Sequence, residues 1–257
     1  MSMIGRMDEL FFQNLQTNPT LFFSVVITVI LSITLHELAH GWAAVRLGDR
    51  TPIETGHMTL NPVVHMGVIS IILLLTLGIA FGAMLVDPTR LRGRYANAWV
   101  ALAGPAMNLF LGLIGLVGLG LWLRFGTLDP TDHVQLNAFV LLSVFGPTNI
   151  ALMLFNLLPV PPLDGSRVVA DFVPAYRRLI SGEAVRGLMT AVFFAMFLGG
   201  ASYIFRAAYA ASDGVIYAIA GRERVRVVRP DPVSEDAATD TAPDSMPSPT
   251  QPAAERL

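Results

Sequence analysis

Five long runs of apolar residues separated by short polar stretches dominate the chain: Leu21 to Val45, Val63 to Val86, Ala96 to Leu123, Asn137 to Leu158 and Leu188 to Ala211. Each approaches the roughly 20 residues that a helix needs to cross hydrocarbon, and none alternates as a barrel strand does. The pattern predicts an all-α polytopic membrane protein with about five apolar helical segments. Residues 1–20, broken at Asn18-Pro19, read as an interfacial N-terminal segment. The loop after the first run is punctuated by Gly48, Pro52, Gly56 and Pro62, and Thr51 to Leu60 has room for short strands. Pro159, Pro161 and Pro162 forbid a regular helix, so the backbone there is expected to be unwound. Residues 223–257 are rich in Pro, Ala and acidic side chains and read as a disordered tail, which leaves 21–222 as the membrane-embedded domain.

Composition sharpens this picture by exclusion. With 53% hydrophobic and 14% charged residues, and a mean hydropathy of +0.58, the chain does not read as a soluble enzyme. A net charge of −2, with no arginine stripe interleaved with aromatics, argues against nucleic acid as a partner. Cysteine is absent, so disulfides, thiolate metal sites and cysteine nucleophiles are excluded, and any metal must sit on His, Asp or Glu. The N-terminus carries Asp8 and Glu9 and lacks the apolar core of a secretory signal, so no cleavage is expected there.

Polar residues inside the apolar runs carry the chemistry. His36 and His40 are four apart, which on a helix puts both imidazoles on one face a turn apart, with Glu37 beside them. Two neutral histidines can grip a zinc ion while the adjacent carboxylate takes a proton from the water it activates. Inserting these groups in lipid costs a few kcal/mol each, so they persist chiefly where they line a cavity or bind something. A catalytic zinc site needs a third protein ligand. Asp164 is the best candidate, because it follows the triple-proline stretch beside an apolar run, where a lone carboxylate is hard to solvate. Without HELAH it would read as a turn aspartate at the membrane surface. His57 and His133 fall in loops with no catalytic partner.

Placing these residues on one ion constrains the topology. If the first four runs all crossed, the C-terminal ends of the first and fourth would lie on opposite faces, about 30 Å apart. The simplest escape is that Val63 to Val86 is a re-entrant hairpin; a redirection of the fourth run at Pro147 or Pro159 is the other. With the hairpin, Arg46, Arg50, Arg90, Arg92, Arg94, Arg167, Arg177, Arg178 and Arg186 share one side, which should be cytoplasmic.

Taken in order, HELAH at 36–40, Asn61-Pro62-Val-Val-His65, Gly104-Pro-Ala-Met-Asn108 and Asn156 to Gly165 make the chain resemble the site-2 protease family of intramembrane zinc metalloproteases, in a small form without a PDZ or nucleotide-binding regulatory domain. The resemblance spans about Leu31 to Val169. It implies Zn2+ held by His36, His40 and Asp164, Glu37 as catalytic base, and Asn156 as a substrate-binding residue. It implies a transmembrane-protein substrate and a multi-pass location in the plasma membrane of a prokaryote. His65 matches a family histidine and is not made a ligand here. The family's His-x-Asp-Pro and Phe-Gly-Trp-Ala-Lys-Pro patterns are replaced by His65-Met-Gly-Val and Phe81-Gly-Ala-Met-Leu-Val. Two other readings stay open: a non-proteolytic metal-binding or scaffold relative of the same fold, and a non-haem iron membrane enzyme. Substrate identity and oligomeric state are not written in the sequence.

Overall fold

A computed structural model describes residues 11–129, 131–197 and 201–221. The first described residues form a 3-10 turn at Phe11–Gln13 and a single turn α1 (Asn14–Thr17). Asn18 then caps the long helix α2 (Pro19–Arg46), its side chain accepting from Leu21 N at 3.0 Å, with Pro19 in the first turn where a missing N–H costs nothing. After α2 come α3 (Thr51–Glu54) and α4 (Pro62–Leu77), then the two longest partners of α2, α5 (Ala96–Phe125) and α6 (His133–Asn156). The chain closes with α7 (Asp164–Phe172), α8 (Pro174–Ser181), α9 (Glu183–Ala195) and α10 (Ala201–Ala220).

Among the described residues, three helices, α2, α5 and α6, are long and apolar enough to cross a membrane. They pack on one another, with α10 against α5 and α6. The contact between α5 and α6 is very close: a Cβ added to Gly115 would lie 2.9 Å from the Gly146 backbone. A second core joins Phe22, Val26 and Ile33 of α2 to Met66 and Leu74 of α4.

The five apolar runs do not each correspond to one long helix among the described residues. The fifth run covers the end of α9 and the start of α10, and residues 198–200 between them lie outside the described residues. The second run folds back on itself, the first of the two arrangements the topology argument allowed. Helix α4 ends at Gly78 in the left-handed conformation (φ 72°), and residues 79–87 return in extended form along it. Ser70 Oγ donates to Phe81 O at 2.7 Å and accepts from Phe81 N at 2.9 Å, and Ala83 N donates to His65 O at 2.9 Å. Burial along this return strand alternates, with Phe81, Ala83 and Leu85 exposed and Gly82, Met84 and Val86 half-buried.

The strands expected between Thr51 and Leu60 are a correction: among the described residues this loop contains the single turn α3 and no strand. Asp49 decides it. Its carboxylate accepts from Thr51 N at 2.9 Å and Thr51 Oγ at 2.5 Å, and Pro52 fits the first turn, so the backbone is drawn into a helical rather than an extended start. The disordered tail expected at 223–257 lies outside the described residues, as do residues 1–10 of the N-terminal segment.

One end of the bundle collects the C-terminal ends of α2 and α6 and the start of α5. Arg92 N donates to Leu47 O at 2.8 Å there, and Arg167 Nη2 of α7 donates to Asn97 Oδ1 at 3.0 Å. Arginines 46, 92, 94, 167 and 177 belong to elements at this end, whereas Arg124 closes the other end of α5 by donating to Ile219 O at 3.2 Å.

Candidate metal centre

His36 and His40 face inward from α2, both more than nine-tenths buried. Asp164 reaches them from the first residue of α7, after the unwound residues 157–163. That segment is pinned by Tyr176, whose OH donates to Pro159 O at 2.9 Å. Helix α7 is docked by the same face that carries Asp164. Arg167 and Asp171, three and seven residues on, bind the start of α5, with Asp171 Oδ2 accepting from Ala98 N at 2.8 Å. Placement of the carboxylate is therefore set by α5, not by the flexible-looking proline stretch.

Three potential ligand atoms converge. Asp164 Oδ2 lies 3.1 Å from His36 Nε2 and 3.2 Å from His40 Nε2, and the two Nε2 atoms are 2.9 Å apart. The outer hydrogen bonds determine what these atoms present. Phe145 O can only accept, so Asn149 donates Nδ2 to it at 2.9 Å and turns Oδ1 toward Asn108. Asn108 then donates Nδ2 to Asn149 Oδ1 at 3.0 Å and offers its own Oδ1 to His36 Nδ1, which must carry the proton of that 2.6 Å bond. His40 Nδ1 likewise donates to Val100 O at 2.6 Å. Both Nε2 atoms are left with lone pairs pointed at a carboxylate oxygen, three acceptors with no donor among them. A bound cation resolves that arrangement, as protonation of one imidazole also would, and two imidazoles with one carboxylate form a donor set suited to zinc with one position left open.

The space for it is provided by α5. A Cβ added to Gly104 would lie 2.3 Å from His40 Nε2 and 2.5 Å from His36 Nε2, so only glycine lets the helix pass this close to the converging atoms. Glu37 is 7% exposed and, among the described residues, makes no hydrogen bond or ion pair. A Cβ added to Gly82 of the return strand would lie 2.7 Å from Glu37 Oε1, which places the strand's backbone directly against this carboxylate.

The chain is 35% identical over 202 residues to "Putative zinc metalloprotease YwhC" of Bacillus subtilis, covering 77% of this chain and 89% of that protein. The model of peptidase family M50 matches residues 123–200, which include Asn156 and Asp164. The chain belongs to peptidase family M50, the site-2 proteases. Within the family it is also 33% identical over 153 residues to "Putative zinc metalloprotease Rip2" of Mycolicibacterium smegmatis, 56% of this chain and 55% of that protein. It is 26% identical over 153 residues to a "Zinc metalloprotease" of Methanocaldococcus jannaschii, 59% of this chain and 35% of that protein. No solved structure matches.

For this M50 member, the residues singled out in the sequence divide cleanly. His36, His40 and Asp164 are brought together, and Glu37 sits beside His36 in α2. Asn156 ends α6 and donates Nδ2 to Leu152 O of its own helix at 3.0 Å. His65 is buried under the return strand and donates Nε2–H to Thr59 O at 2.7 Å, outside the metal group. His57 is a half-buried loop residue hydrogen-bonded to Thr55, and His133 starts α6. Sequence reasoning assigned no role to Asn108, Asn149, Gly104 or Val100 O. Asn108 lies in the quoted Gly104-Pro-Ala-Met-Asn108 motif and was within reach of a search for histidine-orienting amides, whereas a backbone carbonyl carries no signature.

Proposed function

We propose that the protein is an intramembrane zinc endopeptidase that hydrolyses peptide bonds within or near transmembrane segments of membrane-protein substrates. The observation that carries this reading is the convergence of His36 Nε2, His40 Nε2 and Asp164 Oδ2, stripped of donors by their outer partners, beside an unpaired Glu37. Zinc held by these three residues supplies a Lewis acid that acidifies water and polarises a carbonyl. Glu37 takes the proton of the attacking water and passes it to the leaving amine nitrogen. Asn156, at the mouth of the unwound segment, is assigned to the substrate backbone.

A helical substrate shields its own peptide bonds, so it must be unwound to be cut. The return strand offers a backbone for it to pair with. Phe81 N and Ala83 N are turned to α4, and in an extended strand the Gly82 N–H between them points to the other edge. Spans containing Gly, Pro or Asn are the favoured substrates.

The membrane-embedded part is residues 21–222, in a multi-pass orientation with the residue 63–86 hairpin re-entrant from the cytoplasmic side of a prokaryotic plasma membrane. Support comes from the arginine-rich end and from aromatic anchors: Arg46 lies 4.3 Å from the Trp42 ring and Arg94 5.1 Å from the Tyr95 ring at that end, and Arg124 lies 5.3 Å from the Phe125 ring at the other.

The test is metal analysis coupled to cleavage. Protein purified without added metal should carry one zinc per chain, and a strong chelator should abolish cleavage of a transmembrane peptide, with activity restored by added zinc. Iron in place of zinc, or cleavage that survives complete removal of the ion, would end the proposal.

A further inference from the structure

The return strand that backs Glu37 is held at its far end by a single buried carboxylate. Asp49 lies three residues past the end of α2 and is fully buried. One oxygen accepts from Thr51 N and Thr51 Oγ, and the other, Oδ2, accepts from Asp87 N at 2.7 Å. Burial raises the carboxyl, but the Thr51 and Asp87 hydrogen bonds and the Arg90 charge outweigh it and hold Asp49 below the usual aspartate range. Around this contact Arg90 bonds Glu54 at 2.7 Å and Asp87 at 3.3 Å, but those groups are about half exposed and contribute little.

The strand and α2 run side by side in the same direction with matched spacing. Gly82 lies against Glu37, and Met84 lies against Gly41, where an added Cβ would be 2.9 Å from Met84 Cε. Four helical residues rise ~6 Å and two strand residues ~6.6 Å, so each turn of α2 meets every second strand residue. On the α4 side Ser70 and His65 O hold Phe81 and Ala83, but a hairpin paired only with its own helix can slide with it. Asp87 N to Asp49 ties the end of the strand itself to the far end of α2, and five residues further on Arg92 N bonds Leu47 O.

We propose that Asp49 is a positioning residue that sets the register of residues 79–87 on α2, so that the Gly82 backbone lies behind Glu37. The role rests on the proposed peptidase function only for its consequence, not for its structural content. Asn at position 49 keeps one acceptor for Thr51 but turns an N–H toward Asp87 N, which breaks the tie selectively.

The chain has no cysteine, so one introduced thiol reports strand position. Met84→Cys is labelled with a water-soluble maleimide in the purified, zinc-loaded protein, with and without Asp49→Asn, and transmembrane-peptide cleavage is measured alongside. Losing a charged hydrogen bond should raise the labelling rate about tenfold and lower kcat by about the same factor, with zinc content unchanged. Thr51→Val, which removes only the Thr51 hydroxyl donor, should give a smaller change in the same direction. An unchanged labelling rate in Asp49→Asn overturns the proposal, as does faster labelling with undiminished kcat, or loss of zinc together with helical signal. If the parent protein cuts no peptide at all, the functional reading fails, and the labelling ratio still decides whether Asp49 holds the strand.

Discussion

Glu37→Gln is expected to lower cleavage of a transmembrane substrate by roughly 10²- to 10⁴-fold, the span usual for loss of a positioned general base, while the zinc content stays at the parent level. The separation of these two effects follows from geometry. Glu37 is next to His36 in sequence, but its carboxylate is not among the three converging atoms, and it packs against the Gly82 backbone instead. Glutamine has the same shape and preserves that contact, so helical content and thermal stability should hold. What it lacks is an oxygen able to accept the proton of water. Zinc quantitation on the same preparation used for cleavage assays is the check. A variant with more than about a tenth of parental cleavage would remove Glu37 from the base role, and a variant that lost its zinc would make Glu37 a ligand.

The parts of this architecture that could be read from the sequence are those governed by local spacing or by exclusion. His36 and His40 announced themselves because helical geometry fixes the i,i+4 relation, and Asp164 because a carboxylate after three prolines has few reasons to be beside an apolar run. The hairpin at residues 63–86 was one of two solutions the sequence left open. Two ligand-bearing helix ends cannot meet across a bilayer, and either the second run turns back or Pro147 or Pro159 redirects the fourth. What the sequence did not reveal depends on contacts between distant segments. Thr51 to Leu60 has the punctuation of both strand and turn, and the choice was made by the Asp49 carboxylate acting on Thr51. The relay from Phe145 O through Asn149 and Asn108 to His36 joins α6, α5 and α2, and no single segment shows it. The departures at His65-Met66-Gly67-Val68 and Phe81 to Val86 left substrate contacts unsettled in the sequence. In three dimensions both stretches belong to one hairpin, whose main-chain bonds Phe81 and Ala83 make without help from side chains other than Ser70.

The same dependence on distant contacts sets the second large effect, at Gly104. Alanine there should reduce zinc affinity by about 10- to 100-fold and take cleavage down with it, because overpacking of this kind costs about 1–3 kcal/mol and the strain falls on the ligands. The added carbon would lie 2.3 Å from His40 Nε2 and 2.5 Å from His36 Nε2, closer than any non-bonded contact allows. Neither imidazole can retreat cheaply. His36 is tethered through Nδ1 to Asn108, His40 through Nδ1 to Val100 O, and swinging either ring gives up a buried hydrogen bond. The helix cannot retreat either, since α5 is locked to α6 where Gly115 meets the Gly146 backbone. Gly118→Ala is the matched control: it lies on the same helix with open space around it, so it tests the general effect of alanine in α5 and should leave zinc and cleavage unchanged. Zinc titration of the two variants separates the outcomes. Equal affinity in Gly104→Ala and Gly118→Ala would mean that the ion does not sit between α2 and α5, and the placement of the centre beneath Gly104 would have to be abandoned.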